Sequence, residues 1–271
     1  MKLKFNWLLS AALSAGVCSP SFGQITGSVK LDGAPPVMKQ IDMAANPQAA
    51  DMHKKDPLFE EAVITGDKGE LANVVVSIKA ADGQAIKGKI PTNPVVLTQK
   101  GCCYYPHVVA CMVGQDVSIK SEDDLLHNVH TLSVDNDPVN FAQNKQPGGP
   151  AAEKTTKFAA AETFKVKCDI HPWMAAWIVV VDHPFFAVTG ADGKYSIDTK
   201  GLADGNYTLD FWQERYGDQT QKITVKDGKA TADCTFKSGE KADAGAAGQL
   251  RARSYAAIAP AACCANTTTA K

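Results

Sequence analysis

Apolar residues fall in short runs separated by Asp-Gly, Pro and Asn clusters, and no stretch carries the long 3.6-residue period of an amphipathic helix. ITGSVKLDGAPP (25–36) reads as a strand ending in a turn at Asp32-Gly33. Residues 37–70 are polar and irregular, with a short helix predicted around Pro57 to Ala62. LANVVVSIKA (71–80) has the β-branched density of a buried strand. A Gly- and Pro-rich connection leads to strands at PVVLTQK (94–100) and HVVACMVG (107–114). DVSIKSEDD (116–124), HNVHTLSV (127–134) and TFKVKC (163–168) alternate apolar and polar residues, as strands with one wet face do. The Asn-, Pro- and Gly-rich stretch 136–157 reads as loop, and AAWIVVVD (175–182) as a near-continuous apolar strand. From Phe185 the texture changes to short strands punctuated by Asp-Gly turns, which predicts a second small β-sandwich. Residues 237–271, rich in Ala, Thr and Lys and without periodicity, read as a disordered tail.

The N-terminus has the pattern of an export signal over residues 1–23. Lys2 and Lys4 supply positive charge, Trp7 to Val17 an apolar run, and Ser21-Phe22-Gly23 a small-x-small cleavage site before Gln24. The run is too short and interrupted for a membrane span of roughly 20 residues. Lipidation at Cys18 ranks second, because Val17 is a poor residue to precede it. A periplasmic or secreted protein with no membrane span is the expectation.

The chain has 28 basic and 29 acidic residues, and loss of Lys2 and Lys4 moves the net charge from −1 to −3. No basic stripe is present to neutralise phosphates, so no nucleic-acid partner is expected. Gly-rich phosphate loops, G-x-S-x-G and H-E-x-x-H are all missing, which argues against an enzyme. Glu214 in WQERYG reads as an ion-pair or turn residue, His107 as structural or surface, His53 as solvated and His183 as a linker. Past the signal, the cysteines are Cys102, Cys103, Cys111, Cys168, Cys234, Cys263 and Cys264. An odd count in an oxidising compartment leaves at least one thiol for another purpose.

The sharpest chemistry lies in VKCDIHPWMAAWIVVV (166–181), where Cys168, His171 and Met174 share one short loop between two strands. A blue copper site needs a thiolate, two imidazoles and a weak axial thioether. One loop cannot surround an ion, so the second imidazole comes from elsewhere. His127 fits, at the start of a strand after SEDDLL, and Asn128 beside it could hydrogen-bond the ligand loop. His130 is the rival, but with a side-chain period of two it faces the opposite side from His127. Read alone, Cys168 could instead pair with Cys102, Cys103, Cys111 or Cys234. Zinc has no need of the thioether.

C-x-x-H-P-x-M after a strand, with an upstream HNV, resembles the type 1 copper motif of cupredoxins, with a short ligand loop similar to that of amicyanin. The resemblance covers roughly residues 92–183. It implies a Greek-key β-sandwich holding copper through His127, Cys168, His171 and Met174. It also implies an electron carrier with transient redox partners, a dehydrogenase and a cytochrome or oxidase, met through an apolar patch around His171 and Pro172. Trp173 would shield the site or form an electron-exit surface.

More widely, residues 25–236 resemble exported cupredoxin-like proteins labelled methylamine utilization proteins. In such relatives a cysteine is expected near Ala49-Ala50, which this chain lacks, so a disulfide from Cys102 to that region is not expected here. GSVKLDG, LANVVVSIKA and VTGADGKYSIDTKGLADGNYTLDFW resemble carboxypeptidase regulatory-like, transthyretin-type sandwiches. The implied plan is all-β: residues 24–91 and 184–236 build that second sandwich, with the copper-binding part (92–183) inserted between its strands. Two alternatives accompany the carrier reading: a carbohydrate- or protein-binding sandwich with vestigial ligands, and copper storage or delivery.

Overall fold

The computed structural model describes residues 23–81 and 83–239; the expected export signal up to residue 22, Cys18, Cys263, Cys264 and nearly all of the expected tail lie outside them. Among the described residues, seventeen strands and one short helix follow each other. The first part of the chain gives β1 (Gln24–Asp32), α1 (Pro47–Met52) and β2 (Val75–Ala80). The middle gives β3 (Val95–Gln99), β4 (Tyr104–Tyr105), β5 (Val108–Met112), β6 (Val117–Ser121), β7 (His127–Thr131), β8 (Asn140–Gln143), β9 (Ala152–Thr156), β10 (Glu162–Lys167) and β11 (Ala175–Val181). The last part gives β12 (Phe186–Val188), β13 (Lys194–Asp198), β14 (Gly205–Gln213), β15 (Gly217–Val225), β16 (Ala230–Thr231) and β17 (Cys234–Lys237). Among the described residues no helix is long and apolar enough to cross a membrane.

The fold is all-β, and its sheets pair into two sandwiches. In one, β4-β3-β6-β9 faces β5-β11-β10-β7-β8 across a core that includes Leu97, Ile119, Val129, Phe164 and Ile178. In the other, a sheet centred on β1, with β13, β16 and β17, faces β12-β2-β14-β15 across Ile25, Val29, Val76, Leu209 and Phe211. β1 and β2 therefore share sheets with β12 to β17, while everything from β3 to β11 forms the first sandwich.

Burial follows the alternation where one face is wet. Tyr195 and Ile197 of β13 point inward while Lys194, Ser196 and Asp198 are exposed. The turn before it needs Gly193, whose φ is +66° and whose added Cβ would stand 2.5 Å from the Val29 carbonyl oxygen. β5 and β11 do not alternate because both of their faces are covered. Val109, Cys111, Ile178 and Val180 enter the first core. Val108, Ala110, Val179 and Val181 meet Val75, Phe186 and Trp212 of the other sandwich. A strand buried on two sides reads as a continuous apolar run.

Two local expectations change. The helix forms at Pro47–Met52 instead of 57–62, because Asn46 caps it by accepting the Ala49 N–H at 3.1 Å and Pro47 occupies its first position. The 136–157 stretch contains β8 and β9. β9 (AEKTT) is a solvent-facing strand at a sheet edge, so its polar composition hides its pairing.

Candidate metal centre

The β10–β11 register sets Lys167 opposite Ala175, so Cys168 and Met174 close the loop between these strands. The Cys168 N–H donates to the Met174 carbonyl at 3.2 Å and the Met174 N–H to the His171 carbonyl at 2.9 Å, giving a tight bend. β7 lies beside β10, with His130 opposite Lys167, which carries His127 to the same end of the sheet. His127, Cys168, His171 and Met174 are all buried, at 0–2 % exposure.

Three of the four are brought close together. His127 Nδ1 and His171 Nδ1 are 3.0 Å apart, and Cys168 Sγ is 3.8 Å from His171 Nδ1. At bond lengths of ~2.0 Å for imidazole and ~2.3 Å for thiolate, these separations subtend about 100° and about 125° at a common ion. That is the spread of a trigonal His2Cys set. Met174 packs in the same core cluster as Cys168. The donor chemistry and spacing thus fit copper.

Neighbouring groups aim each donor. His127 Nε2 meets Asp123 Oδ2 at 2.8 Å, leaving Nδ1 to face the pocket. Asp123 also accepts the Gly101 and Cys102 N–H groups at 2.7 and 2.9 Å. The N–H groups of Asn128 and His171 each point at Cys168 Sγ from 3.4 Å. The Asn128 side chain accepts the Asp169 N–H and donates to Asp169 Oδ2 at 3.1 Å, tying β7 to the ligand loop. Tyr104, fully buried, donates its hydroxyl to the Asn128 carbonyl at 2.6 Å. His130 points away, half-buried against Asp169 at 2.9 Å.

Electrostatics follow from these contacts. Burial works against a Cys168 thiolate, but the hydrogen bond from His127 and the surrounding N–H groups outweigh it and lower the pKa. Burial also opposes a charged His127, yet Asp123 and Cys168 raise its pKa; burial and the neighbouring His127 lower that of His171.

Sequence reasoning missed two features. The first is the cover over His171. Asn46 Nδ2 sits 2.9 Å from His171 Nε2, and His53, at the far end of α1, reaches the Gly101 carbonyl at 2.7 Å. The helix is thus anchored to the candidate metal pocket at both ends, and His53 is half-buried rather than solvated. The N-P-Q-A-A run is the signal that could have placed the cap, but nothing in it points to His171. The second is Cys102, wholly buried, with its thiol and one ring nitrogen each of His127 and His171 all within 4.8 Å of one another. Its burial and the nearby Asp123 and Cys168 push its thiol up to about 12. Trp173 covers the pocket, its ring 5.3 Å from that of His171 and its Nε1–H donating to the Cys102 carbonyl at 3.0 Å. Cys102, Cys111, Cys168 and Cys234 are in the thiol form, with no disulfide among them.

His107 and Glu214 form an ion pair at 2.5 Å between the sandwiches, and His183 is buried with Nε2 2.6 Å from the Ile78 carbonyl.

No protein-family model matches the chain, and no curated protein matches it. Similar solved structures include a copper-containing nitrite reductase from Thermus scotoductus SA-01, at 27 % identity over 36 % of this chain, with a TM-score of 0.28. The chain spans a quarter of that enzyme's length, 25 %. A purple cupredoxin from Nitrosopumilus maritimus is matched at 18 % identity over 32 % of this chain and 99 % of its own, with a TM-score of 0.26. A methionine-to-alanine variant of amicyanin in its Cu(I) form is matched at 21 % identity over 40 % of this chain and 99 % of its own, with a TM-score of 0.26.

Proposed function

We propose that the protein binds one copper ion through His127, Cys168 and His171, with Met174 as a weak axial ligand, and acts as an exported electron carrier. The carrying observation is the convergence of two imidazole nitrogens and a thiol at 3.0 and 3.8 Å inside a buried pocket. Copper in such a set supplies a one-electron couple whose geometry changes little between oxidation states. The chain's contribution is to hold the donors still. Asp123 fixes His127, Asn128 fixes the ligand loop, and the packed core keeps water out.

The redox partners are a dehydrogenase on one side and a cytochrome or oxidase on the other. Because Asn46 occupies the His171 edge, we place their transient contact over exposed Pro172 and half-exposed Ile170, beside the ligand loop. A site this buried favours retention of the ion over delivery, which needs an exchangeable one.

The test is an absorption spectrum of the protein oxidised with copper(II), beside Cys168→Ser. An intense band toward the red end of the visible, lost in the variant, is the expected result. A wild-type protein that binds copper(II) without that band refutes the thiolate site.

A further inference from the structure

We propose that Tyr104 is a positioning residue for the metal centre, its hydroxyl setting the span between the strand that carries His127 and the strand that leads into Cys168. This rests on the copper reading above and adds the group that holds two of its donors in register.

β7 and β10 carry His127 and Cys168 to the same end of one sheet, but the ladder between them stops short of both residues. It pairs Val166 with Thr131 and Lys167 with His130, so His127 and Cys168 lie past its last pair. Tyr104 reaches this gap from the opposite sheet, where β4 pairs with β3 and Tyr104 stands across from Gln99. Its hydroxyl lies 2.6 Å from the Asn128 carbonyl and 3.2 Å from the Lys167 carbonyl. Asn128 directly follows His127, and Lys167 directly precedes Cys168. One O–H donor, weighted toward the shorter contact, therefore spans the backbone beside an imidazole ligand and the backbone beside the thiolate.

The tie is dry and its base is fixed. Tyr104 is 1 % exposed, which shields the shared hydrogen bond from competing solvent. Asp123 accepts the Gly101 and Cys102 N–H groups in the turn that leads into β4, and the same carboxylate meets His127. On the outer side, the Asn128 amide links the two strands through Asp169. The tyrosine links them on the core side.

A buried tyrosine usually satisfies its hydroxyl on a nearby carbonyl, and core packing alone accounts for its ring. Tyr195 is that case: it is 4 % exposed and donates to the Ala232 carbonyl at 2.7 Å in the second sandwich. Tyr104 differs because its two acceptors flank proposed ligands on two different strands. A His2Cys set tolerates little change in that span, since thiolate and imidazole must meet one ion at fixed bond lengths.

The experiment compares copper(II) binding by the full chain with Tyr104→Phe and Tyr195→Phe, each of which deletes one hydroxyl and keeps the ring. Both variants should lower the urea midpoint of the metal-free protein by similar amounts. Only Tyr104→Phe should weaken copper(II) binding, by about tenfold in chelator competition, and redistribute intensity among the thiolate-to-copper bands. Wild-type affinity and spectrum in a folded Tyr104→Phe overturn the assignment and leave the copper site standing. Equal loss of affinity in the two variants also overturns it, because the effect is then one of stability. A second measurement needs no variant: with copper(I) bound, the Tyr104 hydroxyl proton should exchange slowly in proton NMR, and fast exchange overturns the tie. A wild type that shows no thiolate-to-copper band overturns the copper reading and this one with it.

Discussion

Glu214 joins the two sandwiches through one partly buried carboxylate, 13 % exposed, and its removal has a cost in which copper plays no part. One oxygen lies 2.5 Å from His107 Nε2 and the other 2.5 Å from Trp177 Nε1, with Glu61 3.9 Å from the second His107 nitrogen. Burial opposes charge on His107, but the hydrogen bond and charge of Glu214 raise its pKa. Burial likewise opposes charge on Glu214, but His107 and the Trp177 N–H lower its pKa. Both directions favour the ion pair. The lowered carboxylate contributes stability above its unfolded pKa, lost as pH falls through the folded value. The raised imidazole contributes stability below its unfolded pKa, lost as pH rises through the folded value. The pair therefore contributes fully between about pH 4.5 and 6.5, and less once pH passes the raised His107 value.

Glu214→Ala strands a buried imidazolium and an indole N–H, so the cost should be that of breaking a buried pair, ~3–5 kcal/mol. Glu214→Gln keeps an acceptor for Trp177 and a donor for neutral His107, trading charge-assisted for neutral hydrogen bonds, a loss of about 1–2 kcal/mol. Urea unfolding of the metal-free protein at pH 6 and pH 9 measures both. Tryptophan fluorescence reports the interface directly, since the Trp177 and Trp212 rings stand 5.3 Å apart there. The Gln variant should approach wild type at pH 9. If Ala and Gln cost the same, or the Gln gap ignores pH, the pair is not charged in the folded protein and the reasoning fails.

Two further outcomes test the pocket's supports. Asp123→Asn should weaken copper binding by about 10–100-fold, because His127 and the Gly101-Cys102 loop lose their common anchor; chelator competition showing wild-type affinity would remove that role. Asn46→Ala should destabilise α1 by about 1 kcal/mol and uncover the His171 edge. Stopped-flow reduction of bound copper by a small soluble reductant should then be faster, and an unchanged rate would mean that α1 does not shield the ion.

The sequence by itself determined many of the strands, though not β8 and β9, because one-face burial imposes a period of two on residues such as those of β10 and β13. It also brought out the candidate ligand loop, since Cys168, His171 and Met174 lie close enough along the chain to share one bend. What only the tertiary structure decided is everything that depends on distant segments meeting. The unbroken apolar runs of β5 and β11 make sense only once a second sandwich covers their outer faces. The polar composition of β9 concealed a strand whose exposed edge needs no apolar side chains. Asn46, Asp123 and Cys102 carry no local signal for a metal pocket: Asn46 lies in a stretch that reads as irregular and Cys102 reads as one of several thiols. They converge with His127 and His171 because the sandwich brings the loop after β3, the start of β7 and helix α1 to one end, and spacing along the chain does not encode that approach.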